Sequence, residues 1–125
     1  MKAIDIHAHI PRMPGLSEYG IEPGLRQMFR MADESISIEK MVETYRAIDT
    51  KAVIFSVDAE TETGDLPDPN DYVAHAVDSY PDVFVGFCSV DPRKGKAAVE
   101  ELERSVLSLG LRGLKLHPIH QAFFP

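Results

Sequence analysis

Short, largely apolar runs alternate along this chain with stretches of helical periodicity, and this order restricts the folds that the chain can adopt. Runs that are apolar at nearly every position are typical of strands buried on both faces of a parallel sheet. Strands that alternate with helices form parallel βαβ units with right-handed crossovers. We therefore predict an α/β fold whose four parallel strands cover residues 3–10, 52–57, 83–90 and 111–116.

Three helices are predicted between these strands, because apolar residues recur there at i, i+3, i+4 and i+7. Ser37 is a candidate N-cap of the first helix, and Asn70 is a candidate N-cap of the second. Gly110 is well placed to terminate the third helix. The predicted helices cover residues 38–48, 72–80 and 99–109, and the segments at 11–37 and 58–71 are predicted to be loops, the first with one helical turn.

The length of the chain determines how much of a barrel it can form. A closed eight-stranded (β/α) barrel of the TIM type needs about 250 residues, and this chain has 125. We therefore expect a half-barrel of about four β/α units, in which residues 1–125 are the N-terminal portion of a single, truncated barrel domain. Barrel enzymes build their active sites at the C-terminal ends of the strands.

Two histidines lie at that end of the first predicted strand. Side chains alternate between the faces of a strand, so His7 and His9 point the same way, with Asp5 one step behind them. Neutral imidazoles that converge from one face are good ligands for zinc or a similar divalent metal. Two buried histidines that hydrogen-bond the backbone would give the same pattern.

Composition excludes several classes of partner. The net charge is −7 and no basic cluster occurs, which argues against nucleic acid or an anionic membrane surface as a partner. No apolar stretch is long enough to span a membrane. The single cysteine, Cys88, lies in an apolar run and is expected to be a core residue. A lone cysteine fits a reducing compartment, and strand residues begin at once, so we expect a cytoplasmic protein without a signal peptide.

Four segments in order resemble the amidohydrolase-related (amidohydrolase 2) family, which includes relatives of aminocarboxymuconate-semialdehyde decarboxylase. They read I-D-I-H-A-H, I-E-K-M-V-E-T-Y-R-A-I-D-T-K-A-V-I-F-S-V, V-G-F-C-S-V-D-P and L-G-L-R-G-L-K-L-H-P. The resemblance implies a metal-dependent (β/α)8 barrel that hydrolyses C–N or C–O bonds or decarboxylates aromatic and related acids. It also implies that His7 and His9 are metal ligands, with the family's further ligands on later strands that this sequence lacks. A catalytic zinc normally has three protein ligands, so the chain alone is expected to bind zinc weakly and to be inactive.

The remaining candidates follow from position. On the fourth strand, alternation places Lys115 and His117 on one face, so His117 is predicted to bind substrate or transfer a proton. Lys115 either holds a substrate carboxylate or is a surface lysine. Arg12 is a candidate for binding a substrate carboxylate, although a loop arginine is often solvated. Asp5 is a candidate for orienting a ligand histidine through its other ring nitrogen, or is a hydrogen-bonded strand residue.

Other polar residues are weaker candidates. His120 could reach the site, and a solvated side chain is the simpler interpretation. His75 lies off the apolar stripe of its helix and is expected at the surface. Asp58 and Asp91 follow the second and third strands, and Asp91 is expected to cap a turn before Pro92.

The leading hypothesis is a metal-dependent hydrolase that acts on a small-molecule, carboxylic-acid-type substrate. A decarboxylase of the same family is one alternative. A different class of alternative is an inactive or self-associating half-barrel scaffold, because an open sheet exposes two edges and favours a homo-oligomer.

Overall fold

The computed structural model describes residues 1–16 and 36–125 of the chain. Within these ranges four parallel strands pair in sequential order, each with the next along the chain. The sheet with its outer helices forms a curled half-barrel, so the predicted fold class is confirmed. The strands are β1 (Ala3–His9), β2 (Thr50–Phe55), β3 (Phe84–Ser89) and β4 (Gly113–Lys115).

The three predicted helices form, and each has bounds that differ slightly from the predicted ones. Ser37 caps the first helix, since its Oγ accepts a hydrogen bond of 3.2 Å from the backbone N–H of Lys40. Gly110 adopts a left-handed φ of 69°, two residues beyond Ser108, the C-cap of the last helix. The helices are α1 (Ile38–Ala47), α2 (Glu60–Thr63), α3 (Asn70–Ser79) and α4 (Lys96–Leu107), and a 3-10 turn covers Pro92–Lys94.

The short helix α2 lies in the segment 58–71, which was predicted to be loop throughout. The prediction missed it because a single helical turn has too few residues to show a periodicity. Most of the other predicted loop, over residues 11–37, lies outside the described residues. No helix in residues 1–16 and 36–125 is long and apolar enough to cross a membrane.

Asn70 does not cap α3, contrary to the prediction. It is the first helical residue, and its buried side chain turns towards β3. Its Oδ1 accepts a hydrogen bond of 2.9 Å from the backbone N–H of Ser89, and its Nδ2 donates one of 3.0 Å to the carbonyl of the same residue. A buried amide satisfies both backbone groups of Ser89 in this way, and it fastens α3 to the end of β3.

The hydrophobic core lies between the sheet and the helices. It contains Ala52 and Ile54 of β2, together with Val42 of α1 and Val73 of α3, and all four are buried. The opposite, concave face of the sheet therefore carries the residues that alternate with these two. That face holds the predicted site.

The two outer strands, β1 and β4, are less covered. Strand β4 is three residues long, shorter than the predicted 111–116. Ile6 of β1 is 77% exposed, and Leu114 is 37% exposed. Self-association through these edges stays a prediction.

Candidate metal and substrate site

Strand β1 contains an irregularity directly before the second histidine. Between Asp5 and Ala8, two residues of β1 lie opposite a single residue of β2, so the strand has a β-bulge there. An extra residue reverses the alternation of side chains between the two faces. Consequently Asp5 and Ala8 both face the helices, whereas His7 and His9 face the concave side.

This bulge corrects the predicted position of Asp5, which was expected to share a face with the histidines. Its Oδ2 accepts a hydrogen bond of 2.6 Å from the hydroxyl of Tyr45, on α1. Its Oδ1 accepts one of 2.9 Å from the backbone N–H of His7. Asp5 therefore contacts the main chain of the histidine pair and not a ring nitrogen, so its second interpretation, a hydrogen-bonded strand residue, agrees with these contacts.

The two imidazoles converge. Nε2 of His7 lies 3.3 Å from Nε2 of His9, and the ring centroids are 5.3 Å apart. Both rings meet Phe55 of β2 edge-on, with centroid distances of 5.2 and 5.0 Å. A tetrahedral zinc with Zn–N bonds of 2.0–2.1 Å separates two ligand nitrogens by about 3.3 Å. The spacing of the pair therefore fits one zinc ion held by both Nε2 atoms.

Electrostatics favour the ligand form of His9. Partial desolvation, and then the nearby positive charges of His7, Lys115, His117 and His120, together lower the pKa of His9 to about 4. A metal ligand must be a neutral imidazole. His9 is thus ready to bind a cation at neutral pH without losing a proton.

Lys115 and His117 extend the same face. The Nζ atom of Lys115 lies 4.6 Å from the centroid of the Phe55 ring, a cation–π contact on the concave side. Burial and the nearby charge of His120 lower the pKa of His117. The two rings of His117 and His120 meet at a right angle with centroids 4.7 Å apart. The structure therefore brings Lys115 and His117 together with the histidine pair, as their positions predicted.

Gln121 also belongs to this region. Its side chain is fully buried. Its Oε1 accepts a hydrogen bond of 2.7 Å from the backbone N–H of His117, while its Nε2 donates to the carbonyls of Asp58, at 2.7 Å, and Val90, at 2.8 Å. A lone glutamine carries no periodic or spacing signal, so only the tertiary contacts reveal this role.

Arg12 lies elsewhere. Its Nη1 is 3.2 Å from Oδ2 of Asp68 and its Nη2 donates a hydrogen bond of 2.6 Å to the carbonyl of Leu66. The side chains of Arg12 and Asp68 are only 6% and 1% exposed. This placement ties the segment after β1 to the segment before α3, and it gives no support to the predicted contact with a substrate carboxylate.

The two aspartates that follow β2 and β3 are also engaged in internal contacts. Asp91 is buried, and its Oδ1 accepts a hydrogen bond of 2.9 Å from the backbone N–H of Arg93, which confirms the predicted cap. Asp58 pairs with Nζ of Lys94 at 2.8 Å. His75 is exposed on α3, as predicted. Among residues 1–16 and 36–125, no three His, Cys, Asp or Glu side chains lie close enough together to hold a metal ion.

Comparisons with known proteins agree with this architecture. The family model described as amidohydrolase matches residues 4–125. Among solved structures, that of 2,6-dihydroxybenzoate decarboxylase complexed with 2,6-dihydroxybenzoate is similar, with a TM-score of 0.56 and 16% sequence identity. The match covers 89% of this chain and 37% of that chain, so this chain spans little more than a third of the decarboxylase. No curated protein matches it.

Proposed function

Because this chain belongs to the amidohydrolase family, we propose that it forms part of the metal site of an enzyme that decarboxylates a small aromatic or related carboxylic acid. The observation that supports the metal is the 3.3 Å separation of the His7 and His9 Nε2 atoms. That distance suits two ligands of one tetrahedral zinc. Each imidazole needs only its neutral form to bind.

Two imidazoles supply only part of the ligand set of such a site. A catalytic zinc takes about three protein ligands and leaves one position for water or substrate. The remaining ligands of this site come from outside the described residues, from another segment or another chain. When bound, the metal supplies Lewis acidity, which polarises a substrate oxygen.

The charge of the concave face supports an anionic substrate. Lys115 and His117 lie beside the histidine pair, and an ammonium group attracts a carboxylate. Three aspartates near this face make their contacts elsewhere: Asp5 with Tyr45, Asp58 with Lys94 and Asp91 with Arg93. A substrate carboxylate therefore meets donors and positive charge, without repulsion from these aspartates. We assign Lys115 to binding that carboxylate and His117 to contacting the reacting part of the substrate.

Decarboxylation is preferred over hydrolysis on one observation. The similar solved structure is that of a decarboxylase complexed with 2,6-dihydroxybenzoate. Hydrolysis of a C–N or C–O bond in an acid remains the second candidate, since the family description is amidohydrolase.

The metal site is tested by zinc binding, measured by calorimetry on the 125-residue chain. Wild type is expected to bind one zinc per chain weakly, with release to a chelator. His7→Ala and His9→Ala should each weaken binding by more than the 10–100-fold typical of lost outer-shell contacts. His75→Ala, on an exposed histidine of α3, is the matched control and should bind as wild type. Equal affinity in all four proteins would refute the site.

The reaction class is tested on the protein with its remaining metal ligands supplied, because the 125-residue chain alone is expected to be inactive. In that complete form we expect release of CO₂ from hydroxylated benzoates, with 2,6-dihydroxybenzoate as the first probe. Release of ammonia or an alcohol from amide and ester probes, without CO₂ from the acids, would establish the hydrolase instead. Lys115→Met should raise KM for the acid more than it lowers kcat, because Lys115 is assigned to binding.

A further inference from the structure

We propose that the turn after β4 holds His117 in the neutral tautomer whose Nε2 carries the proton, so that His117 donates a hydrogen bond to the substrate and does not ligate the metal. The substrate half of this statement rests on the proposed function. The tautomer itself follows from contacts within the turn. These two parts can be tested separately.

The tautomer is dictated by a backbone amide. The N–H of His120 donates a hydrogen bond of 3.2 Å to Nδ1 of His117. A backbone N–H can only donate, so Nδ1 must present its lone pair. A neutral imidazole has one proton, which then sits on Nε2. A protonated ring nitrogen has no lone pair for a metal, so this Nε2 is a donor.

The turn that makes this contact is anchored to two other strands. Gln121 accepts from the backbone N–H of His117 and donates to the carbonyls of Asp58 and Val90, which follow β2 and β3. The backbone N–H of Gln121 also donates 2.9 Å to the carbonyl of His117. Since Gln121 is fully buried, breaking these bonds would leave polar groups unsatisfied. Gln121 is therefore a positioning residue that acts through His117.

The N–H group at Nε2 of His117 is available to a ligand on the concave face. Among the described residues, none forms a hydrogen bond with Nε2 of His117. Because Nδ1 accepts the hydrogen bond from the backbone N–H of His120, it carries no proton, so the ring in this geometry is neutral. An oxygen of an acid bound beside Lys115 is the acceptor that suits such a group.

Nitrogen-15 NMR of the histidine rings at pH 7.5 measures the tautomer directly, because protonated and unprotonated ring nitrogens have well-separated shifts. We expect wild-type His117 to show a protonated Nε2 and an unprotonated Nδ1. His120→Ala keeps the backbone N–H and should leave that pattern unchanged. His120→Pro removes the N–H and should produce a mixture of tautomers. A protonated Nδ1 in the wild type would overturn the proposal, even if the proline variant does not fold.

Gln121→Met tests the positioning role, since methionine has similar volume and no amide. In the folded variant, the share of the Nε2-protonated tautomer should fall; an unchanged spectrum would refute the role of Gln121. The same spectra taken with 2,6-dihydroxybenzoate should show a shift of the His117 Nε2 proton. Absence of that shift would refute substrate contact.

Zinc titration distinguishes the role proposed for His117 from that of a metal ligand. His117→Ala should keep zinc affinity within about threefold of wild type, whereas His9→Ala should lose most of it. A wild type that binds no zinc yet shows the predicted tautomer would refute the proposed function alone. If His117→Ala weakens zinc as strongly as His9→Ala does, His117 is a ligand and this inference is wrong.

Discussion

The hydroxyl of Tyr45 donates a hydrogen bond of 2.6 Å to Oδ2 of Asp5, and it thereby joins helix α1 to the strand that carries the histidine pair. The second oxygen of Asp5 accepts from the backbone N–H of His7, within the β-bulge. One carboxylate therefore satisfies a side chain of the helix layer and the main chain of the bulge. This arrangement holds the strand in the conformation that turns His7 towards His9.

Removing the Tyr45 hydroxyl is expected to weaken both the fold and the metal site. Tyr45→Phe should lower the free energy of unfolding by about 1.5 kcal/mol, the lower end for a hydrogen bond to a charged group. Zinc affinity should fall by about 10-fold, as for other contacts that orient a ligand. Urea unfolding and calorimetry measure the two effects.

Tyr80→Phe is the matched control for this prediction, because the Tyr80 hydroxyl makes no hydrogen bond with the described residues while its ring packs on Phe84. Stability and zinc affinity should stay near the wild-type values. A Tyr45→Phe variant that behaves like the control would show that the bulge does not depend on this bond.

The same contact predicts a dependence of stability on acid pH. The hydrogen bond from Tyr45, and then that from the His7 backbone, lower the pKa of Asp5 below its ordinary value of 3.8. A group whose pKa is lower in the folded state contributes its stability above the unfolded pKa and loses it as pH falls. The difference in unfolding free energy between wild type and Tyr45→Phe should therefore be constant above about pH 5. It should shrink as pH falls below 3.8. A difference that grows in acid would contradict the assignment.

The buried pair of Arg12 and Asp68 is expected to matter for stability. Asp68→Ala removes the carboxylate that faces the buried guanidinium of Arg12, which should cost about 3–5 kcal/mol. The double variant Arg12→Met with Asp68→Leu should recover part of that loss, because the guanidinium is removed together with the carboxylate that it faces. Thermal and urea unfolding of the single and double variants measure this coupling. Equal losses in both proteins would show that the pair is not a coupled ion pair.

A side chain at Gly86 of β3 is expected to destabilise the fold, because its neighbours would have to shift. A Cβ built there would lie 2.6 Å from Cδ2 of Leu111 and 2.9 Å from Cγ2 of Val77. Gly86→Ala should therefore lower the free energy of unfolding by about 1–3 kcal/mol, the usual cost of overpacking. Leu111→Ala in the same chain removes the nearer atom, so the double variant should be more stable than the sum of the two single losses predicts. Additive losses would show that the clash is relieved without Leu111.

Several features of this protein could be predicted because they depend on residues that are near each other in the sequence. The order of apolar runs and helical stripes indicated the parallel half-barrel, since each signal is local and the handedness of the crossovers is general. Ser37 was recognised as a cap because capping involves residues three positions apart. The H-x-H spacing placed His7 and His9 on one face, because alternation along two residues survives the bulge that precedes His9.

The tertiary structure decided what depends on distant partners. The bulge in β1 follows from its pairing with β2, and it moved Asp5 from the predicted histidine face to the hydroxyl of Tyr45, forty residues away. A loop arginine is usually solvated, but folding buries Arg12 against Asp68, which lies 56 residues further along the chain. Gln121 and the amide of His120 gain their roles only when β4 reaches the ends of β2 and β3. A buried polar group must find a partner wherever the fold supplies one, and that requirement has no signature in the sequence.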